Sequence, residues 1–320
     1  MNLVGGGSKF TTTYNYDELR QSNCTTNVIP DDKSTYWTPA LYYKHRDTSK
    51  FELVPSEWGM WYYQLGTEQP NIRQFPAGFR MIAGSDTRST LSSAPADQAI
   101  NYLCLTSVAS SDPLTYTLPT RQCDQGILMN VIFPSCWDGN NVTSPNLMDH
   151  VSYPVGTPEG GTCPPTHPVR LITLHFEQVL HTGGFEYYDG GFVLSTGDDV
   201  GYSSYGGFTN GWDASANSLI QQLINICTDP TNATSNCTML LPLVNYPAAN
   251  YCRPASQMPI EDVGLYGGLE KLPGDNPIWG GDVKKVLTGV SNTPPFGSPY
   301  SILPANWEEY GCIDEGAPSS

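Results

Sequence analysis

Val169-Arg170-Leu171-Ile172-Thr173-Leu174-His175-Phe176-Glu177-Gln178-Val179-Leu180 is the stretch whose reading decides the fold. Ile172, Leu174 and Phe176 fall on one side of a period-two pattern, and Thr173, His175 and Glu177 on the other. That alternation predicts a half-buried β-strand with a polar face. His175 and Glu177 then project the same way, their Cα atoms about 6.5–7 Å apart. A carboxylate and an imidazole sharing one face form the best acid–base candidate in the chain. A solvated outer face of an antiparallel strand accounts for the pattern equally well.

Outward from this strand, the same kind of segment recurs. Tyr36-Trp37, Leu41-Tyr42-Tyr43, Trp61-Tyr62-Tyr63 and Phe79-Arg80-Met81-Ile82 are short aromatic-rich runs bounded by Pro or Gly. Ile127 to Phe133 is a further apolar run, stopped by Pro134, and Phe192 to Leu194 leads into the turn Thr196-Gly197-Asp198. Such punctuation is the signature of strands in a mainly β domain, a sandwich or jelly roll. One helix is expected near 215–227, where Leu219, Ile220, Leu223, Ile224 and Cys227 recur at helical spacing. Asp213 or Ser215 is available to cap it, and Pro230 lies beyond its end. Past 228 periodicity fades, and residues 228–320 read as an irregular wrap of the same domain, held by Cys237, Cys252 and Cys312. With no internal repeat or low-complexity linker, the whole span 1–320 reads as one domain.

Composition bounds the partners. Charged residues are only 14% of the 320, and 31 acids against 15 bases leave a formal net charge of −16. Such a surface repels phosphate backbones and anionic lipid, which argues against nucleic-acid and membrane partners. Nine cysteines without a CxxC pair or zinc-finger spacing point to disulfides rather than metal or redox chemistry, so no cofactor is implied. A Cys227–Cys237 bridge would pin the helix end, and the odd count leaves one cysteine over. Four Asn-X-Ser/Thr sequons, at Asn23, Asn141, Asn232 and Asn236, favour a secreted glycoprotein. No signal-peptide pattern or transmembrane run is seen, and Met1 leading into Leu3-Val4-Gly5 reads as a mature or trimmed start.

Two corners frame the central stretch, Phe133-Pro134-Ser135-Cys136-Trp137-Asp138-Gly139 and Gly207-Phe208-Thr209-Asn210-Gly211-Trp212-Asp213. With Asp32-Lys33-Ser34-Thr35-Tyr36-Trp37-Thr38-Pro39, Phe75 through Gly84, His150-Val151-Ser152-Tyr153-Pro154 and Cys163 through Leu171, they carry a family resemblance. The chain resembles the secreted fungal domain of unknown function catalogued as number nineteen ninety-six, members of which are sometimes fused to wall-glycan-associated WSC modules. Leu272-Pro273-Gly274-Asp275-Asn276-Pro277 extends the likeness into the tail. The resemblance implies a fold and a secreted compartment, and no activity. Three departures bear on any site in relatives. Met1-Asn2 stand where a His-X-His is usual, Asn146-Leu147 where an Asp-His precedes His150, and Tyr205-Gly206-Gly207 where a His-Gly-Asp is usual.

Candidate chemistry therefore centres on Glu177 and His175. Asp198, in Gly197-Asp198-Asp199, or Asp213 would supply a second carboxylate for glycoside hydrolysis if the corners converge on Glu177. The competing reading makes the first a turn and the second a cap. His150, and His167 beside Pro168, are expected to bond backbone rather than metal, and Ser135 and Ser195 lack a nucleophile elbow. Trp58, Trp61, Tyr62 and Tyr63 form the densest ring cluster, and at alternating spacing some must face outward, which suits stacking on sugars. Two functions remain open. One is an extracellular or wall-associated protein that binds a polysaccharide or wall glycan without catalysis; the other is a glycosidase or lyase using Glu177, His175 and an aspartate.

Overall fold

The computed structural model describes residues 2–5, 15–64, 71–107, 110–227, 237–252, 258–259, 262–265, 267–280 and 296–297, with backbone alone for 2–4, 57–64, 110, 258–259 and 296–297. The alternation of 169–180 is present, delivered in two pieces. β12 (Val169–Arg170) joins a small sheet, Leu171 makes an isolated bridge to Arg73, and β13 (Thr173–Leu180) runs inside a five-stranded sheet. Ile172, Leu174 and Phe176 are all buried. The sheet order is β5 (Ser56–Gln64), β13, β9 (Ile127–Ile132), β7 (Ile100–Ser107) and β8 (Ser110–Ser111), antiparallel throughout.

A four-stranded sheet, β1 (Asn2–Gly5), β2 (Thr35–Thr38), β15 (Tyr205–Thr209) and β6 (Arg80–Gly84), lies against it. Leu174, Phe176, Met129, Val131 and Ile100 from one side and Tyr36, Met81 and Phe208 from the other share one core. The rings of Phe133 and Phe208 approach to 6.2 Å between them. Thr38 Oγ1 donates to Gln178 Oε1 at 3.1 Å, which satisfies two polar groups that the packing buries. Mainly β is thus the observed class, with two antiparallel sheets over a common interior. The aromatic runs flagged in the sequence are β2, β3 (Leu41–Lys44), β5 and β6.

Smaller sheets flank this pair. β14 (Phe192–Leu194), β3 and β4 (Phe51–Leu53) cover a second cluster of Ala40, Tyr42, Phe51, Val193 and Leu272. β11 (Val151–Ser152), β10 (Cys136–Trp137) and β12 form another sheet, and β16 (Met258–Pro259) pairs β17 (Phe296–Gly297). Among the described residues, three short α-helices, α1 (Tyr16–Arg20), α2 (Pro95–Gln98) and α4 (Tyr246–Tyr251), accompany the expected one, α3 (Leu219–Ile226). The α3 cap is Ser218, whose Oγ accepts from Gln221 N at 3.2 Å, rather than Asp213 or Ser215. Ser218 stands one residue before the first helical turn, where a hydroxyl can reach an orphan amide; Asp213 sits too far upstream.

Four disulfides staple the chain: Cys24–Cys252, Cys104–Cys123, Cys136–Cys163 and the expected Cys227–Cys237. The wrap is tied to the sheets by Cys252, by a bridge from Leu269 to Phe51 and by one from Trp279 to Asp198. Cys312 lies outside the described residues. Among them, no helix is long and apolar enough to cross a membrane.

Candidate functional site

On the face of the central sheet turned away from the shared core, polar side chains line up across three strands. Strand register sets Glu177 of β13 directly opposite Asn130 of β9, and Asn130 opposite Asn101 of β7. Directly paired residues point to one face, so the three form a row. Asn130 and Asn101 are 5% and 4% exposed, and Asn130 Nδ2 donates to Asn101 Oδ1 at 2.7 Å. The side chains of His175 and Glu177 are 12% and 16% exposed, with His175 Nε2 3.7 Å from Glu177 Oε1. Both are largely covered, where an open solvated face would leave them far more exposed.

Burial works on the pair from opposite sides. It pushes the His175 imidazole down to about 4 and raises the Glu177 carboxyl, each toward its neutral form. At neutral pH His175 is therefore uncharged, and its approach to Glu177 is not a salt bridge. His175 titrates near 6.5 when unfolded, so its burial penalises the fold as pH falls from about 6.5 toward 4. The full loss is about 3 kcal/mol. His175→Asn is expected to flatten that acid limb, read as a smaller drop in melting temperature between pH 7 and pH 4. Glu177 has the reverse sign: its raised carboxyl favours the fold when protonated and penalises it as pH rises. Glu177→Gln should thus melt no lower than the parent at pH 7.

Both candidate aspartates are bonded within their own turns. Asp198, 1% exposed, accepts from the backbone amides of Val200 at 2.8 Å, Gly201 at 3.0 Å and Ser203 at 2.6 Å. It organises a turn. Asp213 is exposed and accepts from Ser215 N at 3.0 Å and Ser215 Oγ at 2.8 Å, bonds that hold its carboxyl below the usual range. Asp199 beside the first is raised by burial and then by the charge of Asp198. Local amides and hydroxyls thus occupy both of the carboxylates expected as partners for Glu177.

The two corners meet at Phe79 instead. Its carbonyl accepts from Asn210 N at 2.9 Å, and its ring lies 6.2 Å from Trp137 and 5.2 Å from His150. Gly211 N donates to Ser34 Oγ at 2.8 Å, and a Cβ at Gly211 would lie 2.2 Å from the Lys33 carbonyl carbon, so only glycine permits that approach. Asp138 receives the amides of Asn140 and Asn141 at 2.8 and 2.9 Å. These corners build the fold. The positions that depart from the family pattern gather at the four-stranded sheet: Asn2 pairs with Thr38, Tyr205 with Gly84, and the Leu147 carbonyl accepts from Ile82 N at 3.0 Å. There the Trp37 ring lies against Gly207, where any Cβ would overlap it.

His150 is buried, with Nδ1 3.0 Å from Ser144 Oγ, and burial lowers its pKa. Both nitrogens of His167 lie within hydrogen-bonding reach of protein oxygens, Thr166 Oγ1 at 2.9 Å and the Asp149 carbonyl at 3.1 Å. Among the described residues no group of three or more His, Cys, Asp and Glu is placed to hold a metal ion. Asn23 and Asn141 are exposed; Asn232 and Asn236 lie outside the described residues. Trp58, Trp61, Tyr62 and Tyr63 are on the β5 backbone, and their side chains are outside the described set. Asn130 and Asn101 escaped the sequence reading, although a lone Asn inside Ile127-Leu128-Met129-Asn130-Val131-Ile132 is a visible signal.

A disulfide-stapled, mainly antiparallel β protein with a largely buried polar row is the class that fold and site define. The chain belongs to the family described as domain of unknown function DUF1996, whose model matches residues 1–212. The match takes in β1 through β15 and ends at Trp212, before α3 and the wrap. No curated protein and no solved structure matches the chain.

Proposed function

We propose that this is an extracellular glycan-associated protein, of a fungal wall or its surroundings, that binds a neutral polysaccharide without catalysis. The observation that carries the reading is the largely buried polar row of Glu177, Asn130 and Asn101 with His175 beside it. Carboxyl and carboxamide groups match sugar hydroxyls, which donate and accept at once. Absence of catalysis rests on the turns: glycosidases use two carboxyls across the scissile bond, and Asp198 and Asp213 are bonded within their own loops. A net charge of −16 disfavours anionic chains and leaves neutral ones. Four disulfides fit an oxidising compartment, and the exposed Asn23 and Asn141 would there carry glycan.

Titration calorimetry against neutral β-glucan and chitin oligosaccharides tests this. Binding should weaken at least about tenfold in Glu177→Leu, the scale of a lost hydrogen bond to a strongly polar group. Failure of every neutral glycan to bind the glycosylated protein ends the reading. The second reading, a glycosidase or lyase, draws on the burial that raises Glu177 and lets it keep a proton to donate. New reducing ends or unsaturated products from the same oligosaccharides, lost in Glu177→Gln, would establish it instead.

A further inference from the structure

The amide of Asn130 is oriented from one side only. Its Nδ2 is committed to Asn101 Oδ1 on β7, at 2.7 Å. A planar carboxamide then turns its oxygen away from β7, toward β13 on the other flank of β9, where Glu177 is the residue directly opposite. That oxygen is buried and finds no hydrogen-bond partner among the described residues. A buried acceptor left alone is costly, so the position calls for a donor. Amide nitrogen and oxygen are told apart by such networks, and here the Asn101 contact does so.

We propose that Asn130, held by Asn101, is the positioning residue for Glu177: its Oδ1 accepts the Glu177 carboxyl proton and leaves the other carboxyl oxygen, on a side chain still 16% exposed, as a neutral acceptor for a ligand hydroxyl. The proposal rests on Glu177 lying in the ligand face, but its hydrogen bond exists without ligand. The groups around Glu177 allow the bond. On β13 itself the neighbour is His175, which burial keeps uncharged at neutral pH. β9 contributes Leu128, Asn130 and Ile132, none of which titrates; along β5, Met60 is opposite Glu177, Tyr62 opposite His175 and Glu57 opposite Val179. Burial, which already favours the protonated carboxyl, works in the same direction. The balance is simple: one O–H bond is kept on Glu177, and no proton leaves the pair until the carboxyl ionises.

The test is a carbon-detected NMR titration of the Glu177 carboxyl in the full chain, with side-chain amide signals followed in parallel and no glycan added. In the parent protein the Asn130 side-chain amide should move with the same midpoint as the Glu177 carboxyl carbon. In Asn130→Leu the midpoint should fall, because the neutral form loses its acceptor, even though the added apolar bulk alone would push it up. Asn101→Leu should lower it too, by freeing the Asn130 amide to turn and offer Nδ2 to the carboxylate. A midpoint that rises or stays put in Asn130→Leu overturns the proposal. If that variant does not fold, the parent titration decides, and an Asn130 amide indifferent to the Glu177 midpoint overturns it equally. Glycan binding without this coupling would leave the functional reading standing and this one refuted. Coupling without binding would do the reverse.

Discussion

Asp198→Ala is expected to be the most damaging single substitution among the carboxylates, lowering stability by about 4 kcal/mol. Three amide donors, of Val200, Gly201 and Ser203, converge on its side chain within a turn where Asp198 itself is 1% exposed. Deleting the acceptor strands them at about 1–3 kcal/mol each, less whatever an entering water recovers. The turn also carries the bridge to Trp279, whose indole Nε1 donates to the Thr196 carbonyl at 2.9 Å, so the wrap should loosen with it. The drop in melting temperature should be about 10 °C for a domain of this size. Asp213→Ala, which removes an exposed acceptor of the Ser215 amide and hydroxyl, should cost only about 1 kcal/mol. Equal and small effects of the two in a denaturation experiment would contradict the structural role assigned to Asp198. Loss of a measured activity with an unchanged melting temperature would return it to the candidates for catalysis.

Removing the Cys24–Cys252 bridge, as Cys24→Ser with Cys252→Ser, is expected to cost about 2–5 kcal/mol. The bond closes 228 residues of sequence, and a loop that long restricts the unfolded chain most in the chain-entropy account. It also joins the segment after α3 to the one beside α1, so its loss should free the wrap before the sheets melt. Limited proteolysis of the double variant should release a fragment beginning after Cys237, the Cys227–Cys237 bridge being intact, while leaving β1 through β15 whole. The Cys227–Cys237 bridge spans only 10 residues, and its removal should cost about half as much by the same reasoning. A double Cys24/Cys252 variant that melts with the parent and resists the protease equally would show that burial of Leu272 and Trp279 already holds the wrap.

The resemblance was legible because its motifs are structural. Asp32 accepts from Ser34 N at 2.9 Å and from Tyr36 OH at 3.1 Å, and Asn210 Nδ2 donates to the Phe75 and Pro76 carbonyls at 3.3 and 3.0 Å. Those residues recur in the quoted runs because they lock turns, and turns say little about ligands. Hence a family could be recognised without its chemistry.

What the amino-acid sequence determined by itself was local. The alternation from Ile172 to Phe176 imposed a strand with one apolar face, and the spacing of Leu219, Ile220, Leu223 and Ile224 imposed a helix; the Gly197-Asp198 pair imposed a turn. Each follows from backbone geometry and burial over a few residues. What only the tertiary structure decided was which polar side chains meet. Asn101 and Asn130 stand 29 residues apart, and Asn130 and Glu177 are separated by a disulfide loop and three small strands. Their row exists because the β7–β9–β13 register places them opposite one another. A slip of one residue would turn Asn130 into the core and break the row, and no local pattern within any of the three strands encodes that choice of partner.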